Sequence, residues 1–387
     1  MKKLLVIGGG FGGCTAIHEF SKKSNWEITL AEPSKKLGGG VRTNFKSGHP
    51  YTFGPRHFLT QNESVYKYLS SYLELRLCKE HQFISYVADD GEFYNYPIHY
   101  EDIPRMPDAR IVNKEIEDLE MSFKNAQFNL TTGSPKLENT ASDYEDFWIR
   151  SVGPSLYKKF IEKYTKKMWQ IDDNKLIDDF SWSPKGVAIK KGPREGWDTA
   201  ISAYPLAIDG YNKFFDSALE KCDRRFEGYV ESIKEKSLTA KMGDEEFTFD
   251  LIINTSPLDE LYNSKYGKLR YIGRRIEFAI LPVEYCLPKN VYFAYYTGEE
   301  DYTRIVEYKK FSKYKSPHTL ISLEYPTLNQ GKYYPMPTEK YRNLHQQYLD
   351  ICHTSFINVG RLAKYNYRYD IDDVIEQVLE ISDNLTS

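Results

Sequence analysis

The sequence has few cysteines and histidines, and none of them are spaced like disulfide frameworks or metal ligands. Its five cysteines are scattered and lack metal-ligand spacing, and its eight histidines form no H-x-x-H or H-E-x-x-H pair. We therefore expect no disulfide framework and no metal site. Unpaired thiols are typical of a reducing compartment, so we expect a cytoplasmic protein. The cysteines are Cys14, Cys78, Cys222, Cys286 and Cys352.

Long hydrophobic runs and an excess of one charge are also missing. No stretch reaches the roughly 18 apolar residues that a membrane-spanning helix needs, so we expect no membrane span. The net charge is −3 and the pI about 6.3, with acids and bases interspersed. That balance gives no sign of a nucleic-acid partner. The apolar N-terminal run is too short for a signal peptide.

What the chain does have is a glycine-rich turn at its start. Residues 4–7 predict a strand, and Gly8, Gly10 and Gly13 follow it as G-x-G-x-x-G. In that motif the first glycine makes a tight turn, the second lets a pyrophosphate approach, and the third lets helix and strand pack closely. Residues 14–23 predict the helix and residues 26–31 a second strand ending at Glu32, whose carboxylate suits a ribose. The pattern predicts dinucleotide binding.

A second glycine turn follows at residues 37–43. This arrangement resembles the FAD-binding fold of the amine oxidase and disulfide reductase type, so FAD is preferred over NAD. The predicted cofactor-binding residues are Gly8, Gly10, Phe11, Gly13, Glu32, Gly39 and Gly40.

The remaining pattern predicts an α/β fold, with an FAD-binding Rossmann-type domain, a helical insertion and a mixed or antiparallel β-sheet domain. We expect helices at 65–77, 116–123, 144–160 and 371–385, a hairpin at 83–96, and strands within 229–255 and 274–323. The predicted domains are a discontinuous FAD-binding domain (1–82, 200–258 and 340–387), a helical insertion with a flap (101–178), and a β-sheet substrate domain (83–100, 179–199 and 259–339). The 32 tyrosines are interpreted mostly as half-buried surface, although Tyr365, Tyr367 and Tyr369 are also candidates for a ligand groove.

Four later segments resemble the UDP-galactopyranose mutase family. Residues 160–169 resemble its Y-T-x-K-x-W segment, 302–308 its Y-T-R-I-x-E strand, 333–337 its Y-Y-P-V segment, and 360–372 its G-R-L-A-x-Y…D-M-D segment. With the FAD turn they run in family order from end to end. The resemblance implies an isomerase that interconverts pyranose and furanose forms of a nucleotide sugar.

The resemblance also implies residue roles. Arg304 and Arg361 would bind the diphosphate, which suits planar guanidinium groups. Arg304, Arg361 and Arg56 are the candidate catalytic residues. The candidate substrate-binding residues are Phe160 and Tyr164 at the base, Trp169 in the mobile flap, and Tyr334, Tyr369 and Asp370 around the sugar and phosphate.

The chemistry implied by the family runs through a reduced-flavin N5–sugar adduct, so no protein nucleophile or metal is needed. The substrate would be UDP-galactose-like, with an N-acetylated or otherwise modified sugar as an alternative. The product would supply furanose for surface polysaccharide. An external reductant such as NAD(P)H would keep the flavin reduced, and a homodimer is left open.

The sequence departs from the family in three places. Arg56 occupies the position where the family usually has a histidine in G-x-H-x-F, and His57 follows it. The usual arginine downstream of the flap is missing, with Lys185 or Arg194 as substitutes. An extra residue between Tyr365 and Asp370 blurs the choice between Tyr367 and Tyr369. These departures bear on the sugar and nucleotide rather than on the reaction class.

Two other readings stay open. An FAD oxidoreductase of the amine oxidase type would share the glycine turns but leave the later segments without a role. A non-catalytic nucleotide-sugar binding protein would keep the fold and bind substrate without turnover.

Overall fold

The computed structural model describes residues 1–123, 141–180, 189–197 and 199–385. Its strands are β1 (Lys2–Ile7), β2 (Trp26–Ala31), β3 (Asn44–Lys46), β4 (His49–Tyr51), β5 (Phe58–Thr60), β6 (Leu75–Leu77), β7 (Gln82–Val87), β8 (Glu92–Tyr96), β9 (Ile201–Pro205), β10 (Arg224–Phe226), β11 (Ser232–Ile233), β12 (Thr239–Met242), β13 (Glu245–Thr248), β14 (Leu251–Asn254), β15 (Tyr271–Leu281), β16 (Val291–Tyr296), β17 (Arg304–Glu307), β18 (Thr319–Thr327), β19 (Tyr334–Pro335) and β20 (Phe356–Asn358). Its α-helices are α1 (Phe11–Phe20), α2 (Glu63–Ser70), α3 (Ala109–Phe123), α4 (Tyr144–Val152), α5 (Pro154–Tyr157), α6 (Lys163–Trp169), α7 (Asn212–Leu219), α8 (Leu258–Leu261), α9 (Lys309–Ser312), α10 (Glu339–Leu349), α11 (Gly360–Ala363) and α12 (Ile371–Asn384). Short 3-10 turns cover Gly39–Val41, Tyr100–Arg105 and Asn174–Leu176, and a π-helical turn covers Lys158–Glu162.

A five-stranded parallel sheet holds the N-terminal turn. Its order is β10-β2-β1-β14-β20, and every neighbouring pair is parallel. The sheet is buried on both faces, which explains why β1 and β14 are apolar runs rather than alternating ones. Helices α1, α7 and α12 pack together beside it. The Rossmann-type fold predicted from the sequence is confirmed, including residues 251–254 as one of its strands.

A seven-stranded mixed sheet forms the second layer. Its order is β19-β15-β18-β17-β16-β7-β8, and within it β7 and β16 are the parallel pair. The predicted hairpin is confirmed, because Phe83 pairs with Tyr96 and Val87 with Glu92. The long β15–β18 pair brings the neighbouring β17 into register, so that Arg304 lies beside Glu324. The sheet therefore places polar groups from distant segments next to one another.

The helical unit α3–α6 closes one side of this sheet. Gly153, with φ of +89°, ends α4, and Pro154 begins α5 directly after it. A helix interior excludes proline but its first turn accepts it. Lys167 Nζ, on α6, donates to the carbonyl oxygens of Gly298 and Glu300 at 3.0 and 2.7 Å. These bonds fix α6 to the β16–β17 loop.

Three element predictions need correction. The helix expected at 144–160 is interrupted at Gly153 and continues as α5 and the π-helical turn. The helix expected at 65–77 is α2 and ends at Ser70; the later part, Leu75–Leu77, is β6 and pairs with β9. Asn62 caps α2 by accepting from the amides of Ser64 and Val65. Residues 75–77 form a strand because they pair with β9, more than 100 residues later. A local sequence pattern cannot detect such a distant partner. Helix α1 begins at Phe11, three residues before the predicted start.

The predicted domain boundaries stay a prediction, although the five-stranded sheet does take its strands from the three separated segments assigned to the FAD-binding domain. Among the described residues, no helix is long and apolar enough to cross a bilayer. The same residues contain no cluster of three or more potential metal ligands.

Candidate active site

The first glycine turn is built for close approach of backbone atoms. Gly8 has φ of +94°, and a Cβ there would lie 2.2 Å from Thr255 Oγ1. A Cβ at Gly13 would lie 1.9 Å from the Gly8 carbonyl oxygen. Both positions therefore exclude any larger residue, since no real Cβ tolerates such distances. These two glycines fix the shape of the turn.

Gly10 differs because nothing lies within 4 Å of the position its Cβ would take. It is the N-cap of α1, and no side chain caps that helix end. The first amides of α1 thus point towards open space with the positive end of the helix dipole. This arrangement fits a pyrophosphate. Phe11, by contrast, packs into the core against Tyr211, Phe214 and Phe215.

The predicted ribose-binding acid lies at the end of β2. The Glu32 carboxylate accepts from the amides of Gly9 and Ser34, both at 2.8 Å. These two bonds hold it beside the glycine turn. The Gly38 amide donates to the Gly9 carbonyl at 2.7 Å, so the two glycine turns are joined directly.

We call the two glycine turns together with Glu32 the glycine cradle. Its second turn leads towards the seven-stranded sheet. Gly39 has φ of +51° and open space where a Cβ would stand. A Cβ at Gly40 would lie 3.4 Å from Tyr333 Cε1 and 3.7 Å from Arg56 Nη2. A cleft of about 1010 Å³ is lined by both turns, Glu32 and Tyr333. Its extent suits an elongated dinucleotide such as FAD.

Arg304 lies beyond the end of this cleft. Its Nε and Nη2 donate to Glu324 Oε2 at 3.1 and 2.6 Å, and Glu324 is only 1% exposed. Burial opposes the charge of Arg304, but the Glu324 carboxylate outweighs it and raises the arginine's pKa. Glu324 therefore keeps Arg304 charged and oriented.

Arg361, on α11, is held in a similar way by residues at the start of α12. Its Nη2 donates to Asp370 Oδ1 at 2.7 Å and its Nε to the Tyr369 carbonyl at 3.1 Å. Its guanidinium carbon lies 5.7 Å from the ring centroid of Tyr334 and 4.9 Å from that of Tyr367. Asp370 also caps α12 through a capping box. One carboxylate thus anchors both the helix and the arginine.

We call Arg304, Arg361, Tyr334 and the aromatic rings around them the arginine–tyrosine cluster. The aromatic contacts favour Tyr367 over Tyr369 as a member of this cluster. The Tyr367 ring lies edge-on to Trp169 at 5.2 Å and to Tyr334 at 5.4 Å. The Tyr369 ring lies near Lys364 Nζ, at 5.4 Å. Trp169 itself is buried at 1% exposure. The structure thus answers a question of placement that the extra residue had left open, while the binding roles stay predictions.

The two residues predicted to contact the base lie in different surroundings. Tyr164 is edge-on to Tyr295 at 5.4 Å, and the Tyr295 ring lies 5.9 Å from the Arg304 guanidinium. Phe160, 2% exposed, packs in the helical core, 6.1 Å from the ring of Tyr94. The structure therefore brings Tyr164, but not Phe160, to the arginines.

Arg56 lies where the second glycine turn meets the cluster. Its Nε donates to the Phe53 carbonyl at 2.9 Å. A Cβ at Gly54 would lie 3.3 Å from Arg304 Nη2 and 3.9 Å from Arg56 Nε, so the two guanidinium groups flank this glycine. His57 turns away and packs against His81 and Phe311.

One arginine of the cluster was missed by the sequence analysis. Arg274, on β15, lies 4.9 Å from the ring centroid of Tyr334. Its Nη1 donates to Thr303 Oγ1 at 3.0 Å and its Nη2 to the Met168 sulfur at 2.5 Å. The available signal was an arginine directly following the buried run 271–273 of a strand.

The structure describes one of the two residues proposed to substitute for the missing flap arginine. Lys185 lies outside the described residues. Arg194 forms ion pairs with Asp102 at 3.0 Å and Glu101 at 3.3 Å, beside the 3-10 turn Tyr100–Arg105. Its described partners belong to that turn rather than to the arginine cluster.

The fold and site together define a dinucleotide-binding α/β enzyme whose cleft opens onto clustered arginines and tyrosines. A family model described as UDP-galactopyranose mutase matches residues 159–367, and one described as NAD(P)-binding Rossmann-like domain matches residues 6–72. The first match covers more than half of the chain. The protein belongs to the UDP-galactopyranose mutase family, whose members are isomerases.

Individual relatives agree with this assignment. A dTDP-fucopyranose mutase from Escherichia coli is 22% identical, over 98% of this chain and 97% of the relative. A probable UDP-galactopyranose mutase from Klebsiella pneumoniae is also 22% identical, over 100% and 95%. The crystal structure of a reduced UDP-galactopyranose mutase has a similar fold, with a TM-score of 0.77, 15% identity and coverage of 100% and 94%.

Proposed function

We propose that this protein is a flavin-dependent isomerase that interconverts the pyranose and furanose forms of a nucleotide-diphosphate sugar. The observation that carries the proposal is continuity between two sites. The second glycine turn abuts Arg56 and Tyr333 at Gly40, and Arg56 and Arg304 flank Gly54. A dinucleotide in the cleft would therefore end where the arginines begin.

The cofactor that fits is FAD. Gly8, Gly10 and Gly13 would hold its pyrophosphate, Glu32 its ribose, and Gly39 and Gly40 the part nearest the flavin. When bound and reduced, the flavin supplies the nucleophile towards the anomeric carbon, so the chain needs none of its own.

The arginines would retain the diphosphate while the sugar rearranges. Arg304 and Arg361 are each oriented by one carboxylate, Glu324 and Asp370, and both guanidinium groups carry further N–H donors for phosphate oxygens. Donors that are held in place lower the entropy cost of bringing the diphosphate back to the sugar. Trp169 contacts Tyr367, and Tyr164 contacts Tyr295 beside Arg304. These rings would limit the entry of water.

The cluster and the relatives suggest candidates for the sugar and the nucleotide. The relatives act, by their names, on dTDP-fucopyranose and UDP-galactopyranose, so UDP and dTDP are the candidate nucleotides. Arg56, a charged donor at the flavin–sugar boundary, favours a sugar with an extra acceptor, such as an N-acetylated hexose. We further propose that the furanose product supplies surface polysaccharide, that NAD(P)H reduces the flavin, and that the enzyme works in the cytoplasm. A homodimer stays open.

The decisive experiment treats the flavin-loaded protein with dithionite and incubates it with a panel of UDP- and dTDP-linked hexoses. We expect furanose products from the reduced protein and none from the oxidised control. Substrate-driven flavin reduction without ring contraction would indicate the amine oxidase type of activity instead. Tight binding of a nucleotide sugar without product would indicate a binding protein.

A further inference from the structure

Arg274 is the unusual charge of the cluster. It is 8% exposed and its Nε has no hydrogen-bond partner. Across the described ranges, no carboxylate lies within ion-pair distance of it, whereas Arg304 and Arg361 each have one. Its Nη2 is directed at a thioether, which is a weak acceptor. A buried cation without an anion is costly, so a compensating charge is expected nearby.

The group best placed to provide that charge is Tyr334. Its ring centroid lies 4.9 Å from the guanidinium carbon of Arg274 and 5.7 Å from that of Arg361. These arginines come from β15 and α11, so cations from two separate elements approach the ring. Tyr334 itself is 6% exposed.

The other charged and titratable groups that face Tyr334 are Arg56 before β5, Arg304 on β17, Glu324 on β18, and the phenols Tyr295, Tyr333 and Tyr367. The carboxylates beside these cations, Glu324 and Asp370, are already paired, with Arg304 and Arg361 respectively. Burial alone would raise the pKa of Tyr334, but Arg274, Arg56 and Arg304 together lower it to about 7, against the opposing charge of Glu324. The positive charge around Tyr334 thus exceeds the negative charge.

We propose that Arg274 is a positioning residue that acts through Tyr334: in the ligand-free enzyme Tyr334 is a phenolate that balances Arg274, and binding of a nucleoside diphosphate returns a proton to it. The proton comes from solvent and joins the phenolate oxygen. No bond of the ligand forms or breaks in this step. The inference rests on the proposed function in one respect, namely that the diphosphate binds at this cluster.

The linkage has a definite sign. The diphosphate brings negative charge next to Tyr334 and so favours its protonated form, which means that binding takes up a proton. Affinity is then greatest below the pKa of the ligand-free Tyr334 and falls as pH rises above it. For one linked proton, the dissociation constant increases up to about tenfold per pH unit.

The test is isothermal titration calorimetry of the oxidised, FAD-loaded enzyme at pH 8 with UDP and with dTDP. Each titration is done in two buffers of different ionisation enthalpy, which gives the number of protons bound. We expect uptake of about one proton per ligand in the wild type. Tyr334→Phe should still bind but take up no proton, and its affinity should be flat between about pH 7 and 9.

Two further variants separate an electrostatic role from a structural one. Arg274→Lys keeps the charge and should keep the proton uptake. Arg274→Met removes the charge, so Tyr334 is already protonated at pH 8 and the uptake disappears. A merely structural arginine would change affinity in both variants while leaving the proton count unchanged. If Arg274→Met does not fold, Arg274→Gln removes the same charge and takes its place in the comparison with Arg274→Lys.

The outcomes are distinguishable. Equal proton uptake in wild type and Tyr334→Phe would overturn the inference, because the proton would go elsewhere. Binding to the wild type without uptake would overturn it and leave the proposed function standing. If the FAD-loaded enzyme bound neither UDP nor dTDP at any pH, both the inference and the proposed function would fail.

Discussion

The glycine cradle and the arginine–tyrosine cluster present positive charge in different ways. The cradle uses backbone amides and missing Cβ atoms, and its parts are consecutive in the first 40 residues. The cluster uses long side chains from β15, β17, β19 and α11, which are distant in sequence. We therefore expect added side-chain atoms to impair binding at the cradle, and removal of charge to impair binding at the cluster.

Gly10→Val should have the largest effect on function. The side chain would enter the open space at the N-terminus of α1, where a pyrophosphate would lie, so we expect complete loss of flavin with a folded chain. Flavin absorbance of the purified protein measures this. Gly13→Val is the contrasting variant: its Cβ would meet the Gly8 carbonyl oxygen at 1.9 Å, so folding itself should fail. A Gly10→Val protein that retains FAD would contradict the assignment.

Arg304→Gln should have the next largest effect, and on stability as well as binding. It leaves Glu324 buried without its cation, which costs about 3–5 kcal/mol of unfolding free energy. Denaturant unfolding measures the change. The double variant with Glu324→Gln should recover a large part of it, because no charge is then left unpaired. Equal losses in the single and double variants would show that the ion pair is not the cause.

Arg361→Ala should weaken binding of the nucleoside diphosphate and have little effect on flavin binding. Loss of a charge-assisted contact of about 1.5–3 kcal/mol lowers affinity at least about tenfold. Asp370 can still cap α12, so stability should change less than in Arg304→Gln. Arg368→Ala, at an exposed position nearby, is the matched control. Wild-type affinity in Arg361→Ala would remove this residue from the site.

Arg56→His should have the smallest effect, a change in preference. It removes the charged donor between the two regions and should shift the ratio of kcat/KM towards UDP-galactose over N-acetylated hexoses. The ratio is measured with the reduced enzyme across the sugar panel. An unchanged ratio would show that Arg56 does not select the sugar.

The sequence revealed the cradle because its geometry depends on consecutive glycines, and the structure shows a steric reason at Gly8 and Gly13. Arg304 and Arg361 were found through segments that resemble a family. Arg274 was missed because the residue that it contacts in the site, Tyr334, lies 60 residues later in the sequence. Tyr367 and Tyr369 could not be distinguished from the sequence. The φ of Tyr365 is +48°, and the path of the loop that follows it decides which ring faces Tyr334.

The packing of α12 on α1 has a consequence for shortened variants of the protein. Helix α12 packs on α1, and a Cβ at Gly12 would lie 3.0 Å from Val374 Cγ1. Residues 371–384 therefore cover one side of α1, the helix that we propose faces the pyrophosphate. A variant truncated before residue 371 would leave this side of α1 open to solvent, so we expect it to be purified without flavin. The flavin absorbance of the purified variant measures this.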